Sequence, residues 1–240
     1  VKLKDIYDIL NRISPFELQE RWDNSGLIIG ELDRDIKDIY ISLEVTRDAL
    51  LNSPENSLFI VHHPLIFSPQ KSLNFSRYPS NLIEIMVRRG QSLIALHTNF
   101  DKSHLNRYLF ENVLGFRDEL NRDFVAGCRV EMSGRELISR VKSKLNIKSL
   151  RVVYPKDSIG SIAMTTGSGA SLIDTVESDC FLTGDIRYHD AMNAISRGLM
   201  LIDIGHYESE IFFSHILKDE LENLEVSAII CELKNPFEIV

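Results

Sequence analysis

The sequence predicts an α/β protein made of two related lobes. Three observations carry that expectation. Short apolar runs, such as Leu58-Phe59-Ile60-Val61, Ser92-Leu93-Ile94-Ala95-Leu96 and Leu199-Met200-Leu201-Ile202, have the continuous hydrophobicity of strands buried on both faces. Segments with apolar residues at helical spacing lie between them. The same rhythm runs through both halves of the 240 residues, with no Pro/Gly/Ser-rich linker. Strands that alternate with helices pack as layers around largely parallel sheets.

The elements read as follows. Ile6, Ile9, Leu10 and Ile13 share a helical face, and Pro15 ends that run. Ile39–Leu43 is a strand, and Thr46 is placed to cap a short helix ending near Pro54. Leu58–Val61 is a strand stopped by His62-His63-Pro64. Pro79 opens a helix with Leu82, Ile83, Met86 and Val87 on its apolar face, closed by Gly90. Ser92–Leu96 is the next strand, then a helix over Leu105–Leu114 with Gly115 just past its end. Ser133-Gly134-Arg135-Glu136 has the form of a capping box, with Leu137, Ile138, Val141 and Leu145 behind it. Strands follow at Leu150–Tyr154 and Ser161–Thr165, then a turn at Gly167-Ser168-Gly169 and a short helix. Cys180–Leu182 is a strand, His189–Arg197 a helix and Leu199–Asp203 a strand. A helix over Glu208–Leu221 and a strand over Val226–Cys231 complete the chain. The polar stretch Arg117–Asp123 interrupts the rhythm. It sets an N-terminal lobe at 1–125 and a C-terminal lobe at 126–240, whose last strand is free to return to the first lobe.

Composition narrows the function. Hydrophobic residues make up 44% and charged residues 26%, ordinary globular usage. A net charge of -8 disfavours nucleic acid and anionic membrane as partners. No window approaches the ~20 apolar residues of a membrane span. The first residues lack a signal-peptide core, and Cys128, Cys180 and Cys231 are too scattered for a disulfide framework or a zinc ribbon. The expected setting is a reducing cytoplasm.

In α/β sheets ligands bind beyond the carboxyl ends of the strands. His62 and His63 follow the second strand read above. His97, with Asp101 four residues on, follows the next. Thr183-Gly184-Asp185 and Tyr188-His189 come after the strand at Cys180, and Asp203, Gly205, His206 and Glu210 after the strand at Leu199. Five of seven histidines thus fall in post-strand loops. His206 and Glu210, at i and i+4, share a helical face and reach a common point. Imidazole with carboxylate suits zinc, manganese, iron, cobalt or nickel. Adjacent His62 and His63 diverge, so two ions about 3.5–4 Å apart would take one each. There is no Gly-x-Ser-x-Gly elbow and no cysteine beside a histidine, which leaves metal-activated water as the nucleophile. Gly167-Ser168-Gly169 reads as a tight turn or a phosphate cradle, and Trp22-Asp23-Asn24-Ser25-Gly26 as a turn in which Asp23 or Asn24 could also orient a substrate.

These motifs resemble the NIF-three-like family, also called dinuclear metal centre proteins and GTP cyclohydrolase 1 type 2 homologues. The residues that carry the likeness are Trp22-Asp23-Asn24-Ser25-Gly26-Leu27, Val61–Phe67 with its His-His-Pro, and Ala95–Asp101. Thr183–His189 and Asp203–Glu210 complete it. The resemblance implies a two-metal site in the cleft between two α/β lobes, with His62, His63, Asp101, His206 and Glu210 as ligands. It also implies that His97 transfers protons or assists the ligands, and that the chain forms a homohexamer. A metal-dependent hydrolase of a nucleotide or related small molecule is the expected function. A metal chaperone or chelatase is the alternative. The run Lys102-Ser103-His104-Leu105-Asn106 departs from the family's pattern after Asp101, as does Phe100, where leucine is commoner.

Overall fold

The computed structural model describes residues 1–120, 122 and 124–238. The chain divides into two compact units, Val1–Phe100 with Phe213–Val240, and Asp101–Phe212. Segment 101–125 therefore groups with the second unit and the C-terminal segment with the first. Of the polar stretch Arg117–Asp123, Asn121 and Asp123 lie outside the described residues, as do the last two residues of the chain.

The first unit opens with α1 (Leu3–Ile13), which buries Leu3, Ile6 and Leu10. Strand β1 (Gly26–Ile29) follows, then β2 (Ile39–Ser42), α2 (Arg47–Asn52), β3 (Leu58–Val61), α3 (Ser80–Arg88), β4 (Ser92–Ala95) and the helical turn α4 (Thr98–Phe100). Thr46 caps α2 by accepting from the Ala49 amide at 3.2 Å. Every residue of β3 and β4 is buried, as continuous apolar runs require. Phe59, Val61, Leu93 and Ala95 pack with Leu50 of α2 and Leu82, Ile83 and Met86 of α3.

The second unit opens with the π-helical stretch Asp101–Leu105, α5 (Asn106–Tyr108) and π-helical Leu109–Val113. Helical structure thus begins at Thr98, ahead of the expected Leu105. Strand β5 (Ala126–Met132) leads to α6 (Gly134–Leu145), where Ser133 accepts from the Glu136 amide at 3.2 Å. Then come β6 (Arg151–Val153), β7 (Ile159–Met164), a 3-10 turn at Ala170–Leu172, β8 (Cys180–Thr183), α7 (Tyr188–Ser196), β9 (Met200–Asp203) and α8 (His206–Glu210). Side chains alternate across these strands. Cys180, Leu182, Met200 and Ile202 join one core with Leu137, Val141 and Leu145 of α6. Phe181 and Leu201 face a second core with Ile173, Val176 and Ala194. The expected helix over Glu208–Leu221 is two helices, α8 and then α9 (Phe213–Glu222), which belongs to the first unit. The final strand shortens to β10 (Ile229–Ile230).

Each unit carries a five-stranded sheet, in the orders β1-β4-β3-β2-β10 and β5-β7-β8-β9-β6. Both keep a parallel centre, β2-β3-β4 and β7-β8-β9. The expected largely parallel character is diluted at the edges, because β1, β5 and β6 pair antiparallel. The Trp22–Gly26 turn runs straight into β1, and β5 has no counterpart in the sequence reading. Strand β1 is short and half-exposed after its first residue, and β5 turns polar and half-exposed from Arg129 on, so neither has the fully buried run that marks the centre. Among the described residues no helix is long and apolar enough to cross a membrane.

Candidate metal centre

In the first unit, parallel β3 and β4 deliver their carboxyl ends side by side. His62 and His63 emerge from β3, their amides held by the Ser42 and Leu43 carbonyls at 3.2 and 2.9 Å. His97 emerges two residues past β4. Strand alternation puts His62 fully inside, its ring 5.0 Å from that of Phe213, and leaves His63 partly exposed. The chain bends at His62 and His63, and the rings stay together. Their centroids lie 4.9 Å apart, and 5.2 and 5.6 Å from that of His97. One nitrogen from each of the three lies within 4.8 Å of the others, a spacing that can hold a metal ion.

In the second unit, β8 and β9 do the same for Asp185 and His206. Helix α8 starts at His206 after Gly205, whose φ of 78° suits a residue without Cβ. The helical spacing then brings His206 Nε2 to 3.0 Å from Glu210 Oε2, as read from sequence. Glu210 is buried. Gly167, at φ 60°, makes room for it, since a Cβ there would stand 2.1 Å from Glu210 Oε1. Asp101, also buried, meets Thr166 Oγ1 at 3.3 Å, and Asn106 Oδ1 accepts from the Thr166 amide at 2.7 Å.

A common feature links the four histidines. His62 Nδ1 lies 2.8 Å from the Leu96 carbonyl oxygen, and His97 Nδ1 2.7 Å from Asp23 Oδ1. His63 Nδ1 lies 3.2 Å from Glu44 Oε1, and His206 Nδ1 2.6 Å from Asp185 Oδ2. A carbonyl or an ionised carboxylate can only accept, so each Nδ1 donates. The ring is fixed in one tautomer, with the Nε2 lone pair left to meet an ion or a proton. This outer-shell anchoring is what orients metal-binding imidazoles. His206 sharpens the point. Its Nδ1 proton is committed to Asp185, so Nε2 and Glu210 Oε2 would meet as two acceptors at 3.0 Å. That approach needs a proton or a metal ion between them. The donor set of imidazole nitrogens and carboxylate oxygens fits a divalent first-row ion.

Asp23 shows how firmly His97 is held. Burial pushes its carboxyl up, but the hydrogen bond and charge of His97, with donors from Thr98 and the Asn24 amide, outweigh that and hold it well below the ordinary carboxylate range. The Ser25 hydroxyl also accepts from the His97 amide at 3.1 Å. Sequence reasoning left Asp23 as turn or substrate contact and gave Asp185 and Glu44 no role, although they are the anchors.

Other sequence candidates settle elsewhere. His189 lies exposed in the first turn of α7, beside Tyr188. Asp203 pairs with Arg151. In the Gly167-Ser168-Gly169 turn, the Gly167 and Gly169 amides donate to Ser209 Oγ and Thr183 Oγ1 at 3.0 and 2.8 Å. Those two amides are thus spent on the fold, which accords with the tight-turn reading. The cysteines stay away from both sets. Burial and nearby Glu119 push Cys128 up to about 11, and burial raises Cys180 and Cys231.

Residues 1–236 match the family model described as Duf34/NIF3 (NGG1p interacting factor 3). The chain belongs to the Duf34/NIF3 family. A Campylobacter jejuni protein named GTP cyclohydrolase 1 type 2 homolog is 45% identical to it over 239 residues, covering 99% of both chains. A Helicobacter pylori protein named GTP cyclohydrolase 1 type 2 is 40% identical over 242 residues, with 99% of each covered. Among solved structures, reduced HcgD from Methanocaldococcus jannaschii aligns with a TM-score of 0.83 and 25% identity, covering 97% of this chain and 98% of that one. A Staphylococcus aureus protein at 24% identity aligns with a TM-score of 0.85 over 100% and 99% of the two chains, a likeness of fold. The NIF3 membership thus agrees with the resemblance read from the five motifs.

Proposed function

We propose that the protein is a metal-dependent hydrolase of a nucleotide or related small molecule, with two divalent ions per chain held by His62, His63, Asp101, His206 and Glu210. The observation that carries the metal reading is the anchoring of every candidate imidazole through Nδ1. The relatives' name, GTP cyclohydrolase 1 type 2, supports the substrate class. Ions of this class, when bound, lower the pKa of water toward ~7 and polarise the substrate. The chain's own residues supply the rest. His97, its Nδ1–H tied to Asp23, takes and returns a proton at Nε2. Ionised Asp23 stabilises the imidazolium that results, and Glu210 would hold metal through its carboxylate. With a guanine nucleotide, two waters would be consumed: both bonds from C8, to N7 and to N9, would break, the nitrogens would take up protons and C8 would leave as formate. A homo-oligomer, a hexamer by the family resemblance, belongs to the same reading.

Metal-reconstituted protein, assayed against a nucleotide pool that includes GTP, should consume a substrate. His97→Gln should slow turnover by roughly 100-fold or more while metal content, measured on the same sample, stays constant. Metal-loaded protein that turns over no nucleotide contradicts the reading. The part-exposed His206 favours metal delivery as the second reading. Transfer of the ion to an acceptor chelate without any turnover would select it.

A further inference from the structure

Trp22, the chain's only tryptophan, is 61% exposed, and Phe67 is 48% exposed. Exposed rings of this size are unusual next to a polar ligand set, and these two are not isolated. The Trp22 and Phe67 centroids lie 6.0 Å apart at an interplanar angle of 61°. Each also meets the His97 ring edge-on, at 6.4 and 6.0 Å. Edge-to-face pairing leaves ring faces that no partner in the trio covers. Phe100 and Phe213, an edge-to-face pair of the same unit, are by contrast both buried.

The two rings ride on different loops, and those loops are tied together. Asn24 Nδ2 donates to the Ile66 carbonyl at 2.6 Å, which locks the residue after Asp23 to the residue before Phe67. Asp23, next to Trp22, is fixed to His97 and Thr98. The aromatic pair is therefore preorganised beside the His97 ring, so a ligand pays little ordering entropy there. Apolar walls with a few convergent polar groups are the usual make-up of a small-molecule subsite.

We propose that Trp22 and Phe67 form a stacking subsite for a planar nitrogen heterocycle of purine size, seated beside His97. The inference rests on the hydrolase reading for its substrate class and adds the residues that hold the ring. An indole matches a purine in area, base–aromatic stacking tolerates any base, and the His97 ring supplies a polar group at the heterocycle's edge.

Because Trp22 is the only tryptophan, its emission reports this subsite alone. The full-length protein, zinc-loaded and again after chelation, is titrated with GMP and with ribose 5-phosphate, exciting where guanine does not absorb. Saturable quenching by GMP and none by ribose 5-phosphate is expected. Phe67→Leu keeps an apolar side chain and should weaken GMP binding by about fivefold or more, with an unchanged thermal melt. Equal responses to both ligands, or none to either, would overturn the subsite. So would emission that changes only with protein concentration, which marks a subunit contact. Quenching needs no turnover, so a bound but unconverted nucleotide refutes the hydrolase reading alone. Turnover with unquenched Trp22 refutes the stacking alone.

Discussion

Asp185 Oδ2 lies 2.6 Å from His206 Nδ1, so the carboxylate after β8 fixes the tautomer of the imidazole after β9. The two parallel strands run side by side, Thr183 opposite Asp203, which brings their post-strand loops together. Asp185 sits at φ 53°, a left-handed conformation that asparagine also tolerates. Asp185→Asn should therefore fold normally. It should bind metal about 10-fold more weakly, because the anchor loses its charge. Metal titration of the apo variant against the parent checks this. An unchanged affinity would remove Asp185 from the site.

Glu210 and Glu208 offer an internal comparison. They share α8, but Glu208 points about 200° away from Glu210 around the axis. Glu210→Gln should weaken metal binding by at least about 10-fold, and Glu208→Gln should leave it intact. Titrating both apo variants decides the register. Metal loss in Glu208→Gln instead would show the ligand assignment to be wrong.

Gly167 tests the space around Glu210. Alanine there adopts a left-handed conformation at about 1–2 kcal/mol, and its Cβ takes the place of the Glu210 carboxylate. Gly167→Ala should lower the melting temperature and weaken metal binding together. A variant that melts lower yet binds metal as the parent does would separate the turn from the site.

The thiols give a pH dependence. With Cys128 pushed up to about 11, roughly one Cys128 thiol in a thousand is ionised at a pH near 8. A raised pKa means that reactivity grows only as pH climbs toward that value. Thiol-reactive dye added to native protein should therefore react slowly at all three cysteines, and quickly once the protein is unfolded. A fast native thiol at neutral pH would contradict the raised pKa values and the non-ligating assignment.

The centre of each sheet was legible in the sequence. The apolar run over Leu58–Val61 forms β3 with those same bounds, and every one of its residues is buried. The His206–Glu210 pair was legible because both ends of the contact lie on one helix. The anchors were not. Asp23 meets His97 across 74 residues and Asp185 meets His206 across 21, and in sequence each aspartate looks like any turn residue. Strand β1 was hidden because its first residue, Gly26, at φ 113°, ends a turn and starts the pairing with Ala95. The helix over Glu208–Leu221 was read as one because its apolar spacing continues through Ile211 and Phe212, where the chain leaves α8 and enters α9.

The most direct test of the metal reading is stoichiometry. Protein reconstituted with zinc under mild conditions, freed of excess ion and submitted to elemental analysis, should carry two equivalents per chain. Substituting His62 or His206 should lower that number. A parent protein that never holds more than one equivalent would contradict the two-ion account, and one that holds none would contradict the metal centre itself.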